Sequence, residues 1–259
     1  MKVIDIKVGK VKVTISFDEH PDIVLPVDIF YENYLVVEDE ISLDKIEQLT
    51  KISSYANLQR YAYNLFARKA YTEAQITEKL TIKGATKADI EKIIKRLRAS
   101  YLIDDRRYLT DYFHLAKERG YGKHKIIKKL IEVGIPNYLL QQLKFDDVDE
   151  LQRATSQLAK LLNKYRNVNS RKQKEKVYRA LIESGYDHEI VAQVIENANF
   201  RSPERDFVLL QQDYEKALRH YVKLNDNYEK KAKITRYLLQ RGYNYNDILK
   251  VLEAHNDND

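Results

Sequence analysis

Lysine and arginine gather at several points along this chain, and their chemistry suits the binding of phosphate groups or of an acidic protein groove. Between residues 117 and 129, six side chains are basic and one is acidic. Lys125 shares a helix face with Lys128 and Lys129 if this stretch is helical. A further basic group lies between Arg171 and Arg179. The alternative is that these groups are solvated helix faces without a partner. The residues predicted to bind a partner or nucleic acid are Arg68, Lys69, Arg106, Arg107, Lys117, Arg119, Lys123, Lys125, Lys128 and Lys129.

Catalytic signals are weak by comparison. The chain has no cysteine, its six histidines do not pair at metal-ligand spacing, and it contains no Gly-rich phosphate loop. The one acidic pair, Asp104-Asp105, stands where a helix should begin, and an aspartate there accepts hydrogen bonds from free backbone amides. We therefore expect a protein without catalytic residues, metal or cofactor.

Tyrosine is abundant, with 20 residues beside 7 phenylalanines and no tryptophan. Tyrosines can stack on bases in proteins that bind single strands. Because these tyrosines recur at helical intervals, we interpret most of them as helix-packing residues and assign none as a base platform.

A repeated pattern must position these groups. A leucine is followed four residues later by glycine, and apolar residues follow six and nine positions after the glycine, at intervals of about fifty residues. Leucine closes the apolar face of one helix, glycine supplies the left-handed residue beyond its end, and the later pair begins the next buried face. The four sets are Leu80, Gly84, Ile90 and Ile93; Leu130, Gly134, Leu140 and Leu143; Leu181, Gly185, Val191 and Val194; and Leu238, Gly242, Ile248 and Val251.

The first 40 or so residues differ from the rest. Apolar residues alternate with polar ones on both sides of Gly9-Lys10, which predicts a β-hairpin. Val24–Phe30 and Tyr34–Val37 are candidates for further short strands. Ser42 is a candidate N-cap for a helix that begins at Leu43.

Helical periodicity takes over from about residue 53, with a first helix predicted at Ala56–Ala70. Thr72 and Thr86 are expected to cap the two helices that follow, and Ser202 to begin the first helix of the last repeat, which runs to about Leu224. Residues 255–259 are expected to fray. The predicted fold is mainly α, with tandem three-helix repeats in an extended, curved array and a small β-rich N-terminal appendage. The predicted boundaries are 1–52 for the extension and 53–103, 104–147, 148–200 and 201–259 for four repeats.

Charge is distributed unevenly along the chain. Residues 1–50 carry a net charge of −6, whereas residues 51–200 carry +11. The positive excess on the first three repeats points to a polyanion, or to a partner coated with one. No long apolar run or leader segment is evident, so we expect a cytoplasmic protein without a membrane partner.

Three ordered blocks resemble the RecX family of bacterial recombinase regulators. The first contains Asn64-Leu65-Phe66-Ala67-Arg68-Lys69-Ala70 and continues to Gly84, the second is Tyr101-Leu102-Ile103-Asp104-Asp105-Arg106-Arg107-Tyr108, and the third starts at Arg119-Gly120-Tyr121-Gly122-Lys123. The match covers roughly residues 55–200, and the N-terminal extension and fourth repeat are similar to those of longer members from Gram-positive bacteria.

The resemblance implies a non-enzymatic protein that binds the RecA recombinase filament and limits its recombination and ATPase activities during DNA repair and the SOS response. Single- or double-stranded DNA is a further implied partner, and we expect a monomer. The alternative function is a stand-alone DNA- or RNA-binding helical-repeat protein. An enzyme of unrecognised type is the third and least supported hypothesis.

Overall fold

The protein is mainly helical, with a small sheet at its N-terminus, as the sequence predicts. A computed structural model describes residues 1–200, 203–222 and 227–256. The strands are β1 (Val3–Val8), β2 (Lys12–Phe17) and β3 (Ile23–Pro26). The helices are α1 (Val27–Asn33), α2 (Leu43–Phe66), α3 (Glu73–Ile82), α4 (Lys87–Ala99), α5 (Asp105–Glu118), α6 (Lys123–Glu132), α7 (Asn137–Leu140), α8 (Asp147–Lys164), α9 (Ser170–Glu183), α10 (His188–Glu196), α11 (Pro203–His220), α12 (Asn227–Gln240) and α13 (Tyr245–Asn256).

The predicted hairpin is confirmed. Strands β1 and β2 pair in antiparallel fashion, with Val8 opposite Val13 on either side of the turn. The amide of Gly9 donates to the carbonyl of Lys12 at 2.9 Å and closes that turn. Strand β3 adds to the other side of β2, so the sheet has the order β1-β2-β3.

The strand predictions after residue 23 are partly wrong. Strand β3 ends at Pro26, and the segment that follows is helix α1, which buries Phe30. Proline has no amide to continue a ladder, and its fixed φ, here −56°, suits the start of a helix. Residues 34–37, all of them described, form no strand.

Helix α2 is longer than predicted and runs without a break from Leu43 to Phe66, through the predicted boundary at residues 52/53. Its first half buries Ile46 in the core beneath the sheet, and its second half buries Ala62 in the core of the first repeat. No Gly or Pro interrupts it, and buried Ser53 donates its hydroxyl to the carbonyl of Val24 at 2.6 Å. The predicted cap at Ser42 is confirmed, because its side chain accepts a hydrogen bond from the amide of Lys45.

The repeated leucine–glycine signal is confirmed at all four positions. The leucines are fully buried and the glycines end helices with positive φ. The apolar pairs that follow Gly84, Gly185 and Gly242 are buried, but Leu140 and Leu143 are only half-buried. The reason is that α7 stops after a single turn and buries Leu139 instead.

The contacts divide the chain into two compact units. The first contains Met1–Asp111 and Ile131–Leu139, and the second contains Tyr112–Leu130 and the described residues from Leu140 onward. The first unit holds the core beneath the sheet and the core of the first repeat. The second holds the cores of the third and fourth repeats. The extended, curved array and the repeat boundaries stay predictions.

Helix α11 begins at Pro203 and ends at His220. The predicted cap at Ser202, the end near Leu224 and residues 257–259 of the predicted tail lie outside the described residues. Among the helices of the described part, none combines the length and apolarity that a bilayer span requires.

Candidate functional site

The second helices of successive repeats meet end to end, and we call each such contact a repeat joint. In the first joint, Thr72 caps α3 and forms a capping box with Gln75, as the sequence predicts for the cap. The hydroxyl of Thr72 also donates to the carbonyl of Val133, at 2.5 Å. Because Val133 immediately precedes Gly134, the start of α3 packs on the turn that ends α6.

The same contact recurs twice in the second unit. The amide of Gly122 donates to the carbonyl of Ser184 at 2.8 Å, and the amide of His124 donates to that of Gly185 at 3.0 Å. In the third joint, the side-chain amide of Asn169, the N-cap of α9, donates to the carbonyl of Arg241 at 2.8 Å. Each joint therefore uses carbonyls that the C-terminus of a helix leaves unpaired.

A carboxylate from the next long helix completes each joint. Asp105 accepts from the amide of Glu73 at 3.0 Å, and Glu150 from that of Lys123 at 2.6 Å. Asp206 accepts from the amide of Ser170 at 2.8 Å. These amides belong to the first residues of α3, α6 and α9, where an anion is favoured by the helix dipole.

Burial raises the pKa of two of these carboxylates. Glu150 is fully buried, and loss of water raises its pKa, while the amide of Lys123 acts in the opposite direction. Burial also raises the pKa of Asp105. Its neighbour Asp104 accepts from the amide of Arg107 at 2.9 Å and caps α5. The prediction that the Asp104-Asp105 pair caps helices is confirmed, although Asp105 caps a different helix from its own.

Tyr186 adds a fully satisfied polar contact to the second joint. Its hydroxyl donates to the carbonyl of Gly120 at 2.8 Å, and burial raises its pKa to about 12. The hydroxyl therefore stays protonated at neutral pH and remains a donor.

The basic residues of α5 and α6 fall into two classes in the second unit. Arg119, Lys128 and Lys129 are exposed, whereas Lys123 and Lys125 are half-buried. The ammonium of Lys125 lies 4.3 Å from the centre of the Tyr121 ring. This cluster presents positive charge to solvent, and its role in binding stays a prediction.

The charge of Lys117 is already paired. Its ammonium forms an ion pair with Asp149, which also pairs with Arg153. The hydrogen bond from Lys117 is the main reason that the pKa of Asp149 is lowered. Lys117 therefore stabilises the second unit, and the carboxylate of Asp149 already compensates its charge.

The four remaining predicted residues lie in the first unit. Arg68 and Lys69 are exposed in the turn after α2, and the ammonium of Lys69 stands 4.6 Å from the Tyr71 ring centre. Arg106 and Arg107 are exposed at the start of α5, with Arg107 3.7 Å from Asp111.

Cations stacked on tyrosine rings are a feature that the sequence did not predict. In the first unit, Lys83 lies over Tyr61 and Arg96 over Tyr55, at 5.4 and 5.5 Å from the ring centres. The two residues of each pair lie far apart in the sequence, so no short-range spacing predicts the contact. They contribute both packing and positive surface.

Two histidines have specific partners. His124 pairs with Asp187, and His188 lies 2.7 Å from the hydroxyl of Tyr178. In the described part of the chain, no group of three or more His, Cys, Asp or Glu side chains is arranged to hold a metal ion.

Known proteins are similar in sequence to nearly the whole chain. The family model "RecX, third three-helix domain" matches residues 147–195 and again residues 204–252. A protein named "Regulatory protein RecX" from Streptococcus agalactiae is 26% identical over 98% of this chain and 100% of its own length. The resemblance to the RecX family is confirmed.

Further RecX relatives extend the likeness. "Regulatory protein RecX" of Lactococcus lactis subsp. cremoris is 25% identical over 94% of this chain and 93% of its own. A solved structure, "Crystal structure of regulatory protein RecX", has a TM-score of 0.52 at 21% identity and covers 76% of this chain and 100% of its own. That structure supports the helical-repeat fold. The two matches also show that residues 147–195 and 204–252 resemble the same three-helix domain.

Proposed function

We propose that this protein is a non-enzymatic regulator that binds the RecA recombinase filament and inhibits its recombination and ATPase activities. The observation that carries the proposal is the match to proteins named "Regulatory protein RecX" over nearly the whole chain. The predicted setting is the cytoplasm, during DNA repair and the SOS response.

The surface of the second unit supports this proposal physically. Arg119, Lys128 and Lys129 are exposed on or next to α6, and Lys125 lies on the same helix. Such residues attract a filament that contains DNA and can contact its phosphates. The acidic N-terminal segment, with a net charge of −6, does not suit that contact.

A charge-reversal experiment tests the basic cluster. Arg119→Glu combined with Lys128→Glu, both at exposed positions, should weaken co-sedimentation with RecA–DNA filaments by about tenfold or more at physiological salt. The thermal midpoint should change little, because exposed charges contribute little to folding.

Lys10→Glu combined with Lys12→Glu is the matched control, since both lysines are exposed and lie in the acidic segment. This control should bind filaments almost as well as the native chain does. Equal losses in the two double variants would mean that only overall charge matters, and no loss in the first would leave the cluster as a solvated face.

Salt dependence separates a filament regulator from a stand-alone DNA- or RNA-binding protein. A regulator should bind filaments more tightly than naked DNA, and its affinity should fall less steeply with salt, because protein contacts are less screened than phosphate contacts. Equal affinity for both, matching salt slopes and unchanged RecA ATP hydrolysis would instead support the stand-alone function.

A further inference from the structure

Tyr101 occupies a backbone conformation that the chain gives to glycine at similar turns. Its φ is +54°, its amide donates to the carbonyl of Arg98, and the next amide, that of Leu102, donates to Leu97. The turn at Gly84 has the same two hydrogen bonds one helix earlier, with φ +79°. A tyrosine side chain strains this conformation, whereas glycine does not.

The strained residue is also exposed. Tyr101 is 88% exposed, so packing does not explain why a tyrosine stands there. Tyr138, which is 63% exposed, lines the same groove of about 790 Å³ in the first unit. Buried Ile103 and Leu139 line it as well, so the groove has an apolar part in addition to the two accessible tyrosines.

The charges of the groove disfavour a polyanion. Its carboxylates are Glu73, Asp104 and Asp105, and its cations are Arg98 and Arg106, so it carries one more negative than positive charge. Arg98 is also paired with Glu73. A phosphate backbone would meet net repulsion here, while an apolar side chain next to a lysine or arginine would find complementary surroundings.

We propose that this groove receives a segment of the partner protein in which an apolar side chain stands beside a basic one, with Tyr101 and Tyr138 as its aromatic contacts. Exposed tyrosines beside an apolar pocket are typical anchors of protein interfaces. The inference rests on the proposed function, because it assigns this contact to the recombinase in the filament. The basic cluster of α6 then serves the DNA, and the groove serves the protein.

The test uses a substitution that removes the ring and relieves the backbone together. Tyr101→Gly should leave the thermal midpoint unchanged or raise it, yet weaken co-sedimentation with RecA–DNA filaments by about tenfold or more. Tyr138→Ala should weaken binding in the same assay without loss of folding, because the ring is mostly exposed.

Tyr34→Gly is the matched control. Tyr34 also has a positive φ, +48°, and is 87% exposed, but it does not line this groove. Its replacement should leave filament binding unchanged.

Three other outcomes would contradict the proposal. If the full-length native protein binds filaments and Tyr101→Gly binds equally well, the groove is not the contact. If Tyr101→Gly loses naked-DNA binding to the same extent as filament binding, the occupant is nucleic acid and the protein assignment is wrong. If the native protein itself does not bind filaments, the proposed function fails, and this inference fails with it.

Discussion

Gly84 and Gly185 end equivalent helices in different repeats, and they show two separate uses of one sequence signal. Both have positive φ, +79° and +90°. A Cβ atom on Gly84 would have no heavy-atom neighbour within 4 Å, whereas one on Gly185 would lie 2.4 Å from the backbone nitrogen of Lys125. The positive φ alone explains why glycine stands at position 84. At position 185 the close contact with Lys125 in the repeat joint also excludes any side chain.

The difference follows from where each glycine lies in the series of repeats. The turns at Gly134 and Gly185 each receive the start of a second helix from the preceding repeat, through Ala74 and Lys125. Gly84 belongs to the first repeat, which has no repeat before it. The glycines beyond the first repeat are therefore points of contact as well as helix ends.

The largest expected effect is that of Gly185→Ala. Its new Cβ would overlap the backbone of Lys125, which cannot move as a side-chain tip can, so the joint must shift. We expect a loss of about 3 kcal/mol or more in the free energy of unfolding, measured by denaturant titration. A loss of only about 1 kcal/mol would mean that the joint adjusts to the extra Cβ atom at little cost, so that Gly185 behaves like Gly84.

Gly134→Ala should cost about 2 to 3 kcal/mol, because its Cβ would lie 2.3 Å from that of Ala74. Gly134→Val should cost at least as much as Gly134→Ala, because valine is larger and its β-branched side chain disfavours positive φ. Adding Ala74→Gly to Gly134→Ala removes the clash and should restore about 1 kcal/mol or more in a double-mutant cycle. Strictly additive effects would show that the two residues do not meet.

Glu150→Ala should cost about 1 to 3 kcal/mol, because the partly buried amide of Lys123 would lose its acceptor. Glu150→Gln keeps an oxygen acceptor and should be much milder.

The pH dependence of Glu150→Gln has a defined sign. Since burial raises the pKa of Glu150 above its ordinary 4.5, the folded protein holds this proton more tightly than the unfolded chain. The contribution of Glu150 to stability is thus greatest below pH 4.5 and falls as pH rises through the folded pKa. The thermal midpoint of Glu150→Gln relative to that of the native protein should therefore be higher at pH 7 than at pH 4. An opposite trend would contradict the burial of this carboxylate.

The smallest expected effect is that of Gly84→Ala, at about 1 kcal/mol. It reflects only the left-handed backbone, because the space beside Gly84 is open. The same denaturant titration should place this variant clearly above Gly185→Ala in stability. Equal losses would remove the distinction between the two glycines.

Local features of the fold could be predicted from the sequence, and contacts between repeats could not. The caps at Ser42 and Thr72 and the glycine turns depend on residues within a few positions, which the pattern displays directly. The joint carboxylates Asp105, Glu150 and Asp206 stand at unequal distances from their partner amides along the chain and include two residue types. No period identifies them.

In the candidate site, too, local features could be predicted from the sequence and contacts between helices could not. The sequence singles out the basic cluster of α6, but not that Lys117 is engaged by Asp149, because the two residues belong to different helices. The sequence gives no sign that Tyr101 holds a positive φ, since tyrosine is rarely found there. The helix at Val27–Asn33 is not predicted, because a short apolar run such as Val24–Phe30 fits helix and strand equally well.

The continuous helix α2 sets a limit on how this protein can be cut or recombined. Its 24 residues span about 36 Å and supply side chains to the sheet core and to the first repeat core alike. A chain that starts at Ser53 would lose the whole sheet and would begin in mid-helix with uncapped amides. Exchange of N-terminal segments between relatives should therefore succeed only where the whole of α2, from its cap at Ser42, travels as one piece.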